Sequence, residues 1–433
     1  MSARPAVALR WAPAWVVAVV ALWPLPMATN VLLGAGALAA AGWLLLRRSS
    51  GGGGLLSGPA WALTSVLFCA YWLPEIAAAL DAESGWPAWR SALLDLRLLP
   101  ALWLAAAAVA DAGGRRRVFT GLALVALVWA LDALVAVATG SSLLHGLYAW
   151  LAPHSGGFVV CPQGTTWGPA PISAFAGCGA WQGLALASLS PFALALGARF
   201  GMLAWLLVAL VMAAAIAATS TPMAWIAFAC VLLLELRRRP GWRHGLSVLA
   251  VACAGVGLSW ALASTGPSRP LAEGGGLKAT RVQAAFDATS AQWRGALCVA
   301  LAHPLNGAGV GGLEPALRDC LPAAATGAAA DARALPLLLD VFAETGAAGL
   351  LLWLAGVALA WRAWRFADAA ARHGAWPALQ ALMAMLFPLN ASLPTYAAPW
   401  GAALLLMAGL YAGALWGRER EQGTMARNGD PID

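Results

Sequence analysis

Apolar runs of about twenty residues recur from one end of this 433-residue chain to the other, with short arginine clusters between them. Lipid offers backbone polar groups no partners, so only helices and closed barrels can span it. The runs are continuous rather than alternating, which favours helices of spanning length. Charged residues make up only 10% of the chain, far below the roughly one quarter usual in soluble proteins. The sequence therefore predicts an all-α, polytopic transmembrane helical bundle.

The arginine clusters predict how the spans are oriented. Arg47–Arg48, Arg115–Arg117 and Arg237–Arg239 each follow a second run of a pair, and lysine and arginine are enriched in cytoplasmic loops. Placing every cluster inside gives about twelve spans with both termini cytoplasmic and no cleavable signal peptide. The net charge of +7 is explained by this orientation signal, so we expect no nucleic-acid partner.

This topology divides the chain into four parts. We expect spans 1–9 within residues 1–264, a large and partly helical periplasmic loop at 265–338, spans 10–12 within 339–418, and a cytoplasmic tail at 419–433. The first two runs are Trp11–Thr29 and Val31–Leu46, and the fourth is Ser91–Ala110.

Six charged residues lie inside the apolar runs, each within a turn or two of the predicted outer end of its helix. Ionisable residues in membrane spans are costly and indicate function. The six are Glu75, Asp95, Arg97, Asp132, Asp340 and Glu344. For Glu75, Asp132 and Glu344 we expect one shared polar cavity open to the outside. Asp95 and Arg97 could instead pair with each other, and water reaching the helix ends is the plainer alternative for all six.

Asp340 and Glu344 are spaced four residues apart and therefore share one helix face. A carboxylate in such a low-dielectric setting is a candidate general base for an acceptor hydroxyl. The alternative is that Asp340 caps the helix and Glu344 pairs with a loop arginine. His303, before Pro304, is a third catalytic candidate, although a histidine beside proline is more often structural.

The 265–338 loop supplies cations and two cysteines. Arginine makes paired bonds to phosphate oxygens, and Arg281 and Arg294 are the substrate-binding candidates because they lie near an apolar helix; Arg97, Glu75 and Asp132 are candidates from the spans. Cys298 and Cys320 could form a disulfide in an oxidising compartment. A second, weaker pairing is Cys161–Cys178. The seven cysteines show no metal-ligand spacing, so we expect no metal.

Four segments, in order, resemble the O-antigen ligase and O-antigen polymerase superfamily of bacterial membrane glycosyltransferases. They are SAFAGCGAWQGLALASLSPFAL, ATSTPMAWIAFACVLLL, TSAQWRGALCVALAHPLNGAGVGG and LPLLLDVFAETGAAGLLLWL, and the large outer loop before the last is similar too. The resemblance covers roughly residues 165–420. The chain departs from the pattern at Leu335, where members carry histidine, and at Pro222, where they carry arginine.

The resemblance implies transfer of a glycan from an undecaprenyl-diphosphate carrier to an acceptor hydroxyl on a lipid or protein. The reaction would take place at the periplasmic face of the bacterial inner membrane, in lipopolysaccharide or other surface glycan assembly. It implies no cofactor and no metal, because arginines can neutralise the diphosphate. Two alternatives stay open. A transporter of a lipid-linked glycan or small solute would show inverted repeats and interrupted helices, and a non-catalytic scaffold would explain the departures at Leu335 and Pro222.

Overall fold

The computed structural model describes residues 9–48, 55–80, 85–151, 179–219, 221–238, 250–251, 254–255, 257, 290–321, 335–388, 395–396 and 400–417. This part of the chain is helical and contains no strand. Its principal helices, in chain order, are α1 Ala12–Ala21, α2 Pro26–Arg48, α3 Gly58–Leu80, α4 Trp86–Asp95, α5 Leu98–Ala108, α6 Ala112–Thr139, α7 Leu143–Leu151, α8 Gly179–Gly197, α9 Met202–Ala218, α10 Pro222–Arg238, α11 290–302, α12 Leu313–Cys320, α13 Leu337–Phe366, α14 Ala369–Met385 and α15 Trp400–Leu415.

Six helical segments of the described chain are long and apolar enough to cross a membrane. They are Pro26–Leu46, Gly58–Leu80, Ala88–Ala108, Ala112–Thr139, Trp181–Phe200 and Leu337–Phe366, with shorter apolar helices at Ala12–Ala21, Met202–Ala218 and Trp400–Leu415. Leu38, Leu46 and Leu351 are 76%, 75% and 67% exposed. Side chains of this kind on the outside of a bundle are suited to lipid. The protein is therefore membrane-embedded, whereas about twelve spans and their orientation stay predictions.

Prolines interrupt two of the predicted apolar runs. The expected first run, Trp11–Thr29, is divided: α1 ends at Ala21 and α2 already begins at Pro26, because proline is best accommodated in the first turn of a helix. The fourth run is one candidate span, but an irregular step at Leu96–Arg97 separates α4 from α5. Pro100 has no N–H to donate to the Leu96 carbonyl, which accounts for that step.

The bundle is held together by close helix contacts at small residues. α8 is the most enclosed of the candidate spans and packs against α6, α9, α10 and α14. α3 packs along α13, and α15 packs along α5. Gly409 and Gly413 face α5, where a Cβ at Gly413 would lie 2.1 Å from the Ala106 carbonyl oxygen. Small residues four apart allow this approach, and packing of this kind drives association in lipid.

Residues 290–321 form a separate unit, which we call the cap. Its two helices, α11 and α12, are joined by a disulfide between Cys298 and Cys320, whose Cα atoms are 6.0 Å apart. This pairing confirms the predicted one. The cap has its own apolar cluster, to which Leu335 and Ala343 at the start of α13 contribute. The expected partly helical character of the 265–338 loop is confirmed for its described residues.

Candidate functional site

α13 is interrupted two residues after Glu344. Gly346 has φ 66° and ψ −170°, a conformation that residues with a Cβ rarely adopt. The interruption divides α13 into a short half-helix ending at Thr345 and a longer one beginning at Ala347. Such ends leave carbonyl and N–H groups without partners inside the helix, and these groups are costly to bury.

A loop of the cap, residues 304–309, supplies the missing partners. Four backbone hydrogen bonds connect it to residues 343–348: Ala308 N to Ala343 O at 2.9 Å, Gly309 N to Glu344 O at 3.0 Å, Ala347 N to Pro304 O at 2.9 Å and Ala348 N to Leu305 O at 3.3 Å. We call this arrangement the brace. It satisfies carbonyls of the first half-helix and N–H groups of the second, so the interruption is a built feature of the fold.

Two glycines make the brace possible. Gly307 has φ 68°, and a Cβ there would lie 2.4 Å from the carbonyl carbon of Glu344. A Cβ at Gly346 would lie 2.2 Å from the Leu305 carbonyl oxygen. The glycines of this segment thus allow a tight backbone path, and the Gly309 N–H donates a hydrogen bond to α13.

The brace holds Glu344 at the interruption, where it faces α3. Glu344 and Glu75 are 1% and 0% exposed, and their charges act on each other. α3 and α13 approach closely here, since a Cβ at Gly349 would lie 3.0 Å from the Pro74 Cβ. Neither Glu75 oxygen has a hydrogen bond of normal geometry within the described residues, although the Ser91 hydroxyl is near. Glu75 and Glu344 therefore lie near enough for their charges to interact, and a shared cavity open to the outside stays a prediction.

Two tyrosines complete the surroundings of these acids. The rings of Tyr71 and Tyr396 have centroids 5.0 Å apart. Tyr396 faces Thr345, and the charges of Glu344, Glu75 and Asp340 act on it. Burial raises the pKa of Tyr396, and the nearby carboxylates raise it further, so its side chain remains a neutral hydroxyl. A neutral phenol can donate a hydrogen bond to a substrate oxygen or to a carboxylate. We call Glu75, Glu344, Tyr71 and Tyr396 the acid–tyrosine group.

Asp340 has a positioning contact in this group. Its Oδ2 accepts a hydrogen bond from the Thr395 backbone N–H at 3.0 Å, and the Tyr71 hydroxyl donates to the Thr395 carbonyl at 3.3 Å. Asp340 therefore fixes the short segment that carries Tyr396 against α13. A catalytic role for Asp340 stays a prediction.

Arg97 lies beside the group rather than within it. Its guanidinium donates to Asn30 Oδ1 on α2 at 3.0 Å. Its charge acts on Asp95, and Asp95 in turn acts on Glu75. The described residues show no ion pair between Asp95 and Arg97, so the interaction of their charges acts at a longer distance.

The structure does not bring Asp132 to the acid–tyrosine group. Its carboxylate accepts from the Ser142 hydroxyl at 2.6 Å and from the Leu144 N–H at 3.0 Å, which fixes the turn into α7. α6 packs mainly against α8, α9 and α1. The expected cavity shared by Glu75, Asp132 and Glu344 is thus wrong for Asp132, because its helix packs elsewhere in the bundle.

The remaining predicted residues lie in or near the cap. His303 ends α11 with its side chain exposed, and its backbone carbonyl accepts from Gly307 N at 3.0 Å. Arg294 is exposed on α11. Leu335, 4% exposed, is part of the cap's apolar cluster. Pro222 begins α10. Arg281 and the pair Cys161–Cys178 lie outside the described residues.

Several residues of the site were missed from the sequence. The Tyr71–Glu75 pair has the i,i+4 spacing of a shared helix face, which was a usable signal in YWLPE. No local pattern indicated Tyr396 and Thr395, because their position depends on a contact with Asp340, which is far from them in the sequence. Tyr71 also lines an apolar crevice of about 60 Å³ between α3, α13, α14 and α15, which includes Trp353 and Leu404.

The described residues contain no cluster of histidine, cysteine and carboxylate side chains fit to hold a metal ion. The chemistry available at the acid–tyrosine group is proton transfer by a carboxylate and hydrogen-bond donation by a phenol.

A scan of the chain against protein-family models finds no match, and neither does a search of curated proteins.

Proposed function

We propose that this chain is a membrane glycosyltransferase that moves a glycan from an undecaprenyl-diphosphate carrier to an acceptor hydroxyl, as an O-antigen ligase or polymerase would. The observation that carries the proposal is Glu344, buried inside the bundle at a helix interruption that a cap loop braces. A carboxylate held this rigidly beside neutral hydroxyls is suited to accept a proton from an alcohol.

The proposed reaction assigns a role to each group. The acceptor oxygen attacks the anomeric carbon of the donor sugar, its proton passes to Glu344, and the bond from that carbon to the diphosphate oxygen breaks. Undecaprenyl diphosphate leaves, and an arginine such as Arg294 would neutralise its charge. The apolar crevice beside Tyr71 runs between helices that bound the group, and its widening would admit the start of a lipid chain.

Complementation of a deletion strain tests the proposal. Glu344→Gln keeps the shape of the side chain and removes its proton-accepting carboxylate, so we expect loss of the surface glycan at normal membrane levels of the protein. The matched control is Glu314→Gln, which changes an exposed acid of α12 whose partner is Arg318 at 3.6 Å; it should restore the glycan. Full restoration by Glu344→Gln would contradict a catalytic role and leave a scaffold as the better interpretation.

The interruption of α13 favours a second candidate, a transporter of a lipid-linked glycan or small solute, because interrupted helices often form substrate sites in transporters. Purified protein in detergent micelles separates the two. A glycosyltransferase joins lipid-linked donor to acceptor without any compartment, so a linked product should form. A transporter leaves both substrates chemically unchanged in micelles and moves the donor only across a closed bilayer.

A further inference from the structure

A second polar site lies at the far end of the bundle from the acid–tyrosine group. It is a cavity of about 600 Å³ lined by the start of α6, the ends of α8 and α10 and the start of α14. α13 begins at the acids and ends near this cavity, where Trp364 contacts Trp376 with ring centroids 5.7 Å apart. The helix between Ala347 and Trp364 is roughly 25 Å long, so the two sites are separate.

Four arginines from three different helix ends line the cavity: Arg115, Arg116, Arg199 and Arg238. His373 also lines it, and among the described lining residues Glu235 is the only carboxylate. Arginines that merely orient a span need only lie near the membrane surface. Here they converge on one cavity, whose volume lies within the range of small-ligand sites.

The walls of the cavity hold these groups in place. The Arg238 guanidinium lies over the Trp376 ring, 5.5 Å from its centroid, and contacts His373 Nδ1. The Trp376 indole N–H donates to Glu235 Oε1 at 2.8 Å, and Glu235 is 8% exposed. Partial burial lowers the pKa of His373, and Arg238 lowers it further. The local excess of positive charge therefore comes from the arginines, against one buried acid.

We propose that this arginine-lined cavity binds a phosphate-bearing anion, either the head group of an anionic lipid or a soluble phosphate compound. Guanidinium groups match the oxygens of phosphate with paired hydrogen bonds. Basic pockets between membrane helices at an arginine-rich end are suited to doubly charged lipid head groups. The Trp376 and Phe119 rings in the same wall offer apolar surface for the glycerol and acyl start of such a lipid.

Titration of the purified full-length protein with two probes tests this site and shows whether the bound phosphate belongs to a lipid or to a soluble anion. Cardiolipin represents the lipid head group, inorganic diphosphate represents the soluble anion, and phosphatidylcholine is the uncharged comparison. Arg116→Gln with Arg199→Gln should weaken binding of the effective probe by roughly tenfold or more. The matched control, Arg362→Gln with Arg365→Gln, removes the same charge from exposed arginines at the end of α13, outside the cavity lining, and should leave binding within about twofold.

Each result has a defined meaning. Selective loss with cardiolipin supports the lipid, and selective loss with diphosphate supports the soluble anion. Equal loss in both double variants, or no saturable binding of either probe to the unmodified protein, overturns the site. Glu235→Gln keeps an acceptor for Trp376 and removes the negative charge, so it should tighten binding severalfold even if the arginine variant fails to fold. Unchanged or weaker binding in Glu235→Gln would also overturn the proposal.

Discussion

At the scale of single residues, Glu75 is the group least explained by stability. It is fully buried on α3, and within the described residues its oxygens have no hydrogen bond of normal geometry. Burying a carboxyl group without a good partner costs about 1–3 kcal/mol in protein mutational data. A residue kept at such a cost, beside Glu344 and two tyrosines, is better explained by function than by packing.

Glu75→Met separates these explanations. Methionine has a similar length and no polar atoms, so we expect the free energy of unfolding to rise by about 1–3 kcal/mol while glycan transfer is lost. Thermal unfolding in detergent measures the first effect, and the micelle reaction measures the second. A fall in stability of similar size would show instead that Glu75 is a structural partner of a group on α4 or α13.

Gly307 offers a test of the brace with an internal control. Gly307 and Gly311 both have positive φ values, 68° and 77°, but a Cβ meets α13 only at Gly307. Gly311→Ala should cost about 1–2 kcal/mol from the backbone conformation alone. Gly307→Ala should cost clearly more and abolish transfer, because it separates the loop from Glu344. Equal losses of stability in the two variants, measured by thermal unfolding, would mean that the brace is dispensable.

At the scale of helices, the contact between α5 and α15 depends on small residues, so Gly413→Ala is a direct probe. The added Cβ would lie 2.1 Å from the Ala106 carbonyl oxygen, and the two helices must move apart. We expect a loss of about 2 kcal/mol or more, as for other overpacked sites.

The control for Gly413→Ala is Gly34→Ala on α2, since nothing lies within 4 Å of a Cβ at Gly34. It should stabilise by roughly 0.5–1 kcal/mol because alanine favours the helix. Equal effects of the two variants on the unfolding temperature would contradict the packing role of Gly413.

The sequence located helices more reliably than it located contacts between them, and the reason is physical. Apolar length is dictated by lipid, so the fourth predicted run, Ser91–Ala110, corresponds to the candidate span Ala88–Ala108 to within three residues at each end. Position along a helix could be inferred from the run boundaries, which placed Glu75 and Glu344 near a helix end, as they are in α3 and α13. The side-by-side arrangement of the helices could not be inferred, because it depends on which helices pack together. Asp132 was misplaced for that reason. The interruption at Gly346 depends on a loop about forty residues away, and no local pattern reveals it.

At the scale of the whole molecule, the two polar sites lie at opposite ends of the bundle, and the acids are not confined to one end. Glu235 is buried at the arginine-rich end, where no functional acid was expected. Arginine enrichment predicts that this end is cytoplasmic. The Cys298–Cys320 disulfide belongs in an oxidising compartment, which predicts that the cap lies on the other side of the membrane.

Cysteine labelling in intact cells tests this orientation. Arg294 on α11 and Arg365 near the end of α13 are both exposed and lie at opposite ends. In a chain that keeps the disulfide and has its other cysteines replaced by serine, Arg294→Cys should react with a membrane-impermeant maleimide. Arg365→Cys should react only after the membrane is permeabilised. Labelling of Arg365→Cys in intact cells, with Arg294→Cys protected, would reverse the orientation and place the acid–tyrosine group on the cytoplasmic side, away from any periplasmic acceptor.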